Sequence, residues 1–376
     1  MRVNVSAHAA LIITLLAASN ANGQANSDLE RIISRDLGPI ASENGAGGAA
    51  IAVYAGGATS FFNYGLADRA EKRVITPDSL FNLASIRKLF EVTLLALAVK
   101  QGELSFDDPA SNYVTELRQG AYIGRVTLGQ LATHTSGLLL PTDHPPWPQN
   151  GYTLPEFFRA LNLWTPDQGQ EPGKQHIYTH AGFVLLQLAL ERRFATPIAE
   201  LMDQRIFRPL GMASTFVPDR GADGRAKLDA SLLRRAVQGY SAQGEPIGQP
   251  GDQQGYFDFP GTAQMFSSPR DLIRLLAAEL GELPLDPLLR EAMALTRQGV
   301  FRMSPRNIQA LAWEINDFGG PVIIDKPGGL NNTSNYIGMI ETNRLGIVIL
   351  SNRGEQHPYE IARHSTLPAL TAMFPP

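Results

Sequence analysis

Ser85 and Lys88 stand three residues apart in the stretch FNLASIRKLF, Phe81 to Phe90, just as an apolar run begins. Residues at this spacing share a helix face and bring their side chains within reach of each other. A serine hydroxyl becomes a useful nucleophile only when a neighbour removes its proton. A lysine does so if burial or nearby positive charge favours its neutral amine, and the run around Lys88 has apolar residues on nearly every side. Near a helix N-terminus the serine would also feel the positive end of the helix dipole, which favours an oxyanion. Chance alone supplies about one Ser-x-x-Lys match in a chain of this length. Taken singly, the pair therefore reads first as a helix cap with a snorkelling lysine. Arg87 and Glu91, four apart, read as a solvated or structural ion pair.

The elements around this pair follow from periodicity. Asp28 to Leu37 predicts an amphipathic helix through Leu29, Ile32, Ile33 and Leu37. AAIAVYAGGATSFFNYGLAD predicts a strand, a Gly-Gly turn and a second strand. From about Leu80 to Leu280 helical patterns dominate. SIRKLFEVTLLALAVKQG is a buried helix ending at Gly102, VTLGQLATHTSGL a helix with a Ser-Gly stop, and AGFVLLQLALERRF a further apolar helix. SSPRDLIRLLAAELG carries a serine cap, Pro269 in the first turn and a glycine exit. The Pro-rich LLPTDHPPWPQNG separates helices as a loop. The chain then returns to strands: PVIIDKPGG with Lys326 at a strand end, SNYIGMIET, and LGIVILSNR after a turn around Asn343. A closing helix runs roughly from Tyr359 to Met373. The implied fold class is α/β of the α+β type: a mainly antiparallel sheet built from both chain ends, flanked by helices, with an inserted helical lobe. Residues 26–376 form one catalytic domain in this reading, with a sheet lobe at about 26–79 and 281–376 and a helical lobe at about 80–280.

The bulk of the 376 residues excludes several function classes. A net charge of -4 and a pI near 6.0 leave no electrostatic footprint for nucleic acid. The absence of cysteine removes disulfides, thiolate catalysis and Cys-ligated zinc. With 44% hydrophobic and 18% charged residues the chain can build a sizeable core. At the N-terminus Arg2, an apolar core from Ala9 to Ala18 and the small-residue exits Ser19-Asn20-Ala21 and Gly23-Gln24-Ala25 read as a secretory signal peptide over residues 1–25. That core is too short to span a bilayer, and no later window is apolar enough to cross one. The expectation is a soluble protein exported across the inner membrane, in the periplasm.

Two distant stretches change the weight of Ser85 and Lys88. HIYTHAGFVLLQLALE places Tyr178 just before an apolar helix, and IIDKPGGLNNTSNYIGMI supplies Lys326. With SIRK, and with LATHTSGL, QALAWEI and YIGMIETNRLGIVILSNR around them, this order resembles the serine β-lactamase and penicillin-binding-protein superfamily. Class C β-lactamases and their esterase and peptidase relatives are the nearest in kind, over roughly Asn44 to Pro376. The resemblance implies that Ser85 is acylated, with Lys88 as its partner and base. Tyr178 would be a second acid/base and Lys326 a source of positive charge. The backbone N–H groups of Ser85 and Gly329 would form the oxyanion hole. It implies a small-molecule substrate, a β-lactam, an ester or a short D-peptide, and no cofactor.

The sequence also departs from that family. Tyr-x-Asn becomes Tyr178-Thr179-His180, which replaces an amide by a larger, titratable ring. Lys-Thr-Gly becomes Lys326-Pro327-Gly328, which loses a hydroxyl and a backbone donor. His180, Pro327, Gly328 and Asn331 are therefore the candidate substrate-binding residues, and lactams without a bulky acylamino arm, such as carbapenems, the expected preference. Asn332, Ser334 and Asn335 could line the cleft or serve the turn, and Glu314 in LAWEI reads as an anchor for the sheet. If the turn holding His176 and His180 were helical, the two could share a zinc ion, with His134 and His144 as further histidines that the fold could bring near. His134 otherwise reads as a structural residue packed under the site. An esterase or D-amino-acid peptidase on the same scaffold, and a catalytically silent ligand- or cell-wall-binding protein, are the competing readings.

Overall fold

A computed structural model describes residues 26–41, 45–138, 153–219, 226–250 and 264–376. The signal-like segment 1–25 and the loop LLPTDHPPWPQNG containing His144 lie outside these residues. Helix α1 covers residues 26–37 and precedes β1 (Gly48–Ala55) and β2 (Ala58–Asp68), joined through Gly56 and Gly57 at φ 56° and 79°. A short strand β3 (Arg73–Val74) edges β2. Helices α2 (Lys88–Lys100), α3 (Leu128–Ala132), α4 (His180–Phe194), α5 (Pro269–Glu279) and α6 (Pro287–Thr296) follow. The chain then adds β4 (Phe301–Ser304), β5 (Asn307–Gln309), β6 (Glu314–Asn316), β7 (Ile323–Leu330), β8 (Thr333–Ile340) and β9 (Leu345–Ser351). The last helix, α7, covers residues 358–373 and contains a wide turn at Ala362–Thr366.

The nine strands form one antiparallel sheet in the order β3-β2-β1-β9-β8-β7-β6-β5-β4. First and last strands meet at its centre, where Ile51 faces Ile349 in the β1–β9 register. Their side chains alternate between two cores, as the period of a strand requires. Ala50, Ala52, Val348 and Leu350 face the core shared with α2, α4 and α5. Ile51, Val53, Ile347 and Ile349 face α1 and α7. Burial on both faces explains why these strands read as continuous apolar runs.

Two elements differ from the sequence reading. The helix after Val126 stops at Ala132, because His134 adopts a left-handed φ of 54° and turns the chain away. Its start is set by a capping box between Thr127 and Gln130. Lys326 lies inside a strand, not at its end, because Pro327, Gly328 and Gly329 continue the β7–β8 ladder to Leu330 opposite Thr333. On its other edge β7 loses its partner after Asp325, where β6 ends. That free edge tolerates a proline.

Candidate active site

Ser85 sits in a 3-10 turn, Ala84–Arg87, that leads directly into α2. The preceding Ala84 is held at φ 50°, a conformation that a residue with a Cβ enters at a cost. Bracing bonds hold it there. Ala84 N–H donates to Asn82 Oδ1 at 3.1 Å, and Asn335 Nδ2 on β8 donates to the Asn82 carbonyl at 2.8 Å. Asn335 is thus a brace for the serine turn. β7 approaches the same turn so closely that a Cβ on Gly328 would lie 2.7 Å from the Leu83 carbonyl. Packing alone demands glycine there, while the next residue, Gly329, is exposed. Asn331 turns its Oδ1 inward, where it meets no hydrogen-bond partner among the described residues.

Lys88 is the first residue of α2 and is buried, and its Nζ stands 3.4 Å from Ser85 Oγ. Tyr178 arrives on the extended segment before α4 and brings its hydroxyl to 2.7 Å from the same Oγ. The Nζ atoms of Lys88 and Lys326 each lie 5.3 Å from the centre of the Tyr178 ring. Packing around the ring opposes ionisation of the phenol, although Tyr178 keeps a solvent-facing side. The two ammonium groups and the bond to Ser85 outweigh it, so Tyr178 titrates below its ordinary value of 10.0. Residues from two separate stretches of sequence thus converge on one oxygen, with Lys326 from a third beside the Tyr178 ring.

Lys326 is held from behind. Burial disfavours its charge, but Glu314, whose Oε1 accepts from Nζ at 3.0 Å, and Tyr178 raise it above 10.5. Glu314 in turn is opposed by burial and kept below 4.5 by Lys326 and Arg363. Arg363 on α7 reaches Glu314 Oε2 at 3.3 Å and forks onto Asp325 with Nε at 2.7 Å and Nη2 at 2.8 Å. Tyr336 and Asn316 also donate to Asp325, at 2.8 Å and 2.9 Å. Glu314 therefore does anchor the sheet, and it also fixes the charge of Lys326. Arg363 and Asp325 escaped the sequence reading, because their partners lie too far along the chain for spacing to show. The Arg87–Glu91 pair is buried, so it is structural and not solvated: Arg87 Nε, at the end of the serine turn, donates to Glu91 of the buried α2 at 2.9 Å.

The histidines separate. His180 is the first residue of α4, after the cap Thr179, whose Oγ1 accepts from Ala181 N–H. Burial and then Lys88 push it down to about 3, so it is a neutral ring at ordinary pH, 5.7 Å from Tyr178. His176 lies in the extended approach, with Nε2 2.9 Å from Gln309 Oε1 on β5. The turn joining His176 and His180 is not helical, so the spacing that would bring them to one metal is not realised. Among the described residues no group of three or more His, Asp and Glu is placed to hold an ion. His134 packs its ring 4.3 Å from that of Tyr178, beneath the site as the sequence implied.

Comparison with known proteins places this geometry. A family model described as beta-lactamase matches residues 29–369. A beta-lactamase of Pseudomonas fluorescens is 24% identical over 92% of this chain and 99% of its own length. Among solved structures, a class C β-lactamase from Rhodobacter sphaeroides is 28% identical with a TM-score of 0.74, covering 92% of this chain and 99% of that one. A protein from Pseudomonas syringae described as a β-lactamase/D-alanine carboxypeptidase is 26% identical with a TM-score of 0.74, covering 92% and 98%.

Proposed function

The chain belongs to the beta-lactamase family, and from that premise we propose that it is an exported acyl-serine hydrolase that opens β-lactams through Ser85. The observation that carries the reading is the 2.7 Å bond between Ser85 Oγ and a Tyr178 hydroxyl flanked by two lysines. In this mechanism Tyr178 takes the Ser85 proton as phenolate, and Lys88, 3.4 Å from Oγ, supplies the positive charge beside it. Oγ attacks the lactam carbonyl, and the N–H groups of Ser85 and Gly329 receive the oxyanion. One such donor is worth about 3 kcal/mol of barrier. The C–N bond breaks, the nitrogen takes the proton from Tyr178, and water then releases the acyl group from Ser85. Lys326 stays charged because Glu314 and Arg363 hold it so.

His180 and Pro327 shape the substrate class. A neutral imidazole carries its donor and acceptor on separate ring nitrogens and not on one amide edge, and proline has no hydroxyl, so both match an acylamino arm poorly, which favours small-armed lactams such as carbapenems. The same two residues, with the carboxypeptidase description of one structural relative, favour an esterase or D-amino-acid peptidase as the second reading. Residues 1–25 would direct export to the periplasm. A panel of penicillins, cephalosporins, carbapenems, short acyl esters and D-Ala-D-Ala peptides, with and without chelator, tests this. The first reading expects lactam turnover, carbapenems ahead of benzylpenicillin, and indifference to chelator. Turnover of esters or D-peptides alone selects the second, and benzylpenicillin ahead of every carbapenem ends the pocket argument. Chelator-sensitive activity restored by zinc would assign a metal role to His180 or His176.

A further inference from the structure

We infer that His134 is a positioning residue for Tyr178, a role that rests on the Ser85–Tyr178 reading above. Its backbone carbonyl accepts from Ile177 N–H at 2.8 Å. Its Nδ1 accepts from Thr179 N–H at 3.3 Å. One residue therefore ties down both neighbours of Tyr178. Its ring also lies 4.3 Å from the Tyr178 ring at an interplanar angle of 31°, backing the phenol whose hydroxyl holds Ser85. Phe183 of α4 packs 5.1 Å from the imidazole and His176 lies 5.8 Å away, so the bracket is itself enclosed.

The identity of the residue is costly for the fold. His134 is wholly buried, adopts φ 54°, and has an Nε2 that finds no hydrogen-bond partner among the described residues. Since Nδ1 accepts, the neutral ring carries its proton on Nε2, which is the orphaned atom. An apolar side chain would avoid the orphan, and asparagine would suit the backbone better. Neither would give both the acceptor for Thr179 and the flat surface against Tyr178. Burial first, then Lys326, Lys88, His176 and His180, keep the ring well below 6.5, so the acceptor survives at working pH.

The test separates the two contacts. His134→Phe keeps a ring against Tyr178 and removes the acceptor. His134→Asn keeps an acceptor near Nδ1, tolerates the left-handed backbone and removes the ring. Each is compared with the unaltered protein by the rate at which a fluorophosphonate labels Ser85, followed by intact mass across pH, with Tm measured alongside. The expected result is labelling slowed roughly 10- to 100-fold in the phenylalanine variant and about 3- to 10-fold in the asparagine variant. The rising limb of the pH profile should move to higher pH, because Tyr178 leaves its place between the two ammonium groups. If the phenylalanine variant does not fold, the asparagine variant decides. An unchanged rate and limb at native Tm overturns the inference, as does a loss explained by Tm with the limb unmoved. Absence of labelling in the unaltered protein would overturn the serine reading itself and this inference with it.

Discussion

Glu314 and Glu279 are both largely buried and both meet an arginine, yet they ionise in opposite directions. Glu314, behind the serine site, is shared by Lys326 and Arg363, and these two cations bring it below 4.5 against its burial. Glu279, the last residue of α5, pairs with Arg297, which also donates to Glu341 at 2.8 Å. There burial dominates and the carboxyl is pushed up to about 7. Deeper burial of Glu279, 1% exposed against 23% for Glu314, and fewer cations per carboxylate together set the outcome. Next to the site, two cations on one acid make a fixed charge that Lys326 can lean on. At Arg297, two acids on one arginine make a group that takes up a proton near neutrality.

Substitutions at the two positions should therefore part company. Glu314→Gln should lower kcat/KM about 10- to 100-fold, which is roughly 1.4 to 2.7 kcal/mol of barrier. It leaves the buried Lys326 ammonium without its anion, so Tm should fall as well. A folded variant with full kcat/KM would show that Lys326 needs no anchor. Glu279→Gln should leave kcat/KM unchanged and act only on stability. The signs differ between the two acids. The lowered Glu314 contributes stability present above 4.5 that is lost as pH falls through its folded value. The raised Glu279 contributes stability present below 4.5 that is lost as pH climbs through about 7. That second loss is roughly 3 kcal/mol at most. Denaturant titrations at several pH values should show it in the parent and not in Glu279→Gln. An identical decline in both would place the titrating group elsewhere.

What the sequence disclosed follows the same divide between local and distant. Strands β1 and β9 were legible because each is a local apolar run, and the buried α2 because apolar residues cover every side of it. Ser85 and Lys88 share one turn, and their spacing alone placed them together. Arg363 was invisible: it meets Asp325 across 38 residues and Glu314 across 49, and no periodicity spans such gaps. The left-handed turn at His134 was missed because nothing in LATHTSGL before its glycine signals a break. The motif reading placed the reacting atoms, and only the fold showed what holds them.

The central claim is that Ser85 becomes covalently acylated and is then released. Intact-mass measurement during reaction with a lactam tests it directly. The account predicts a mass increment equal to the whole lactam, located on Ser85, that disappears as hydrolysed product accumulates and never forms in Ser85→Ala. Lactam turnover that survives Ser85→Ala, or an increment on any other residue that turns over in its place, would contradict it.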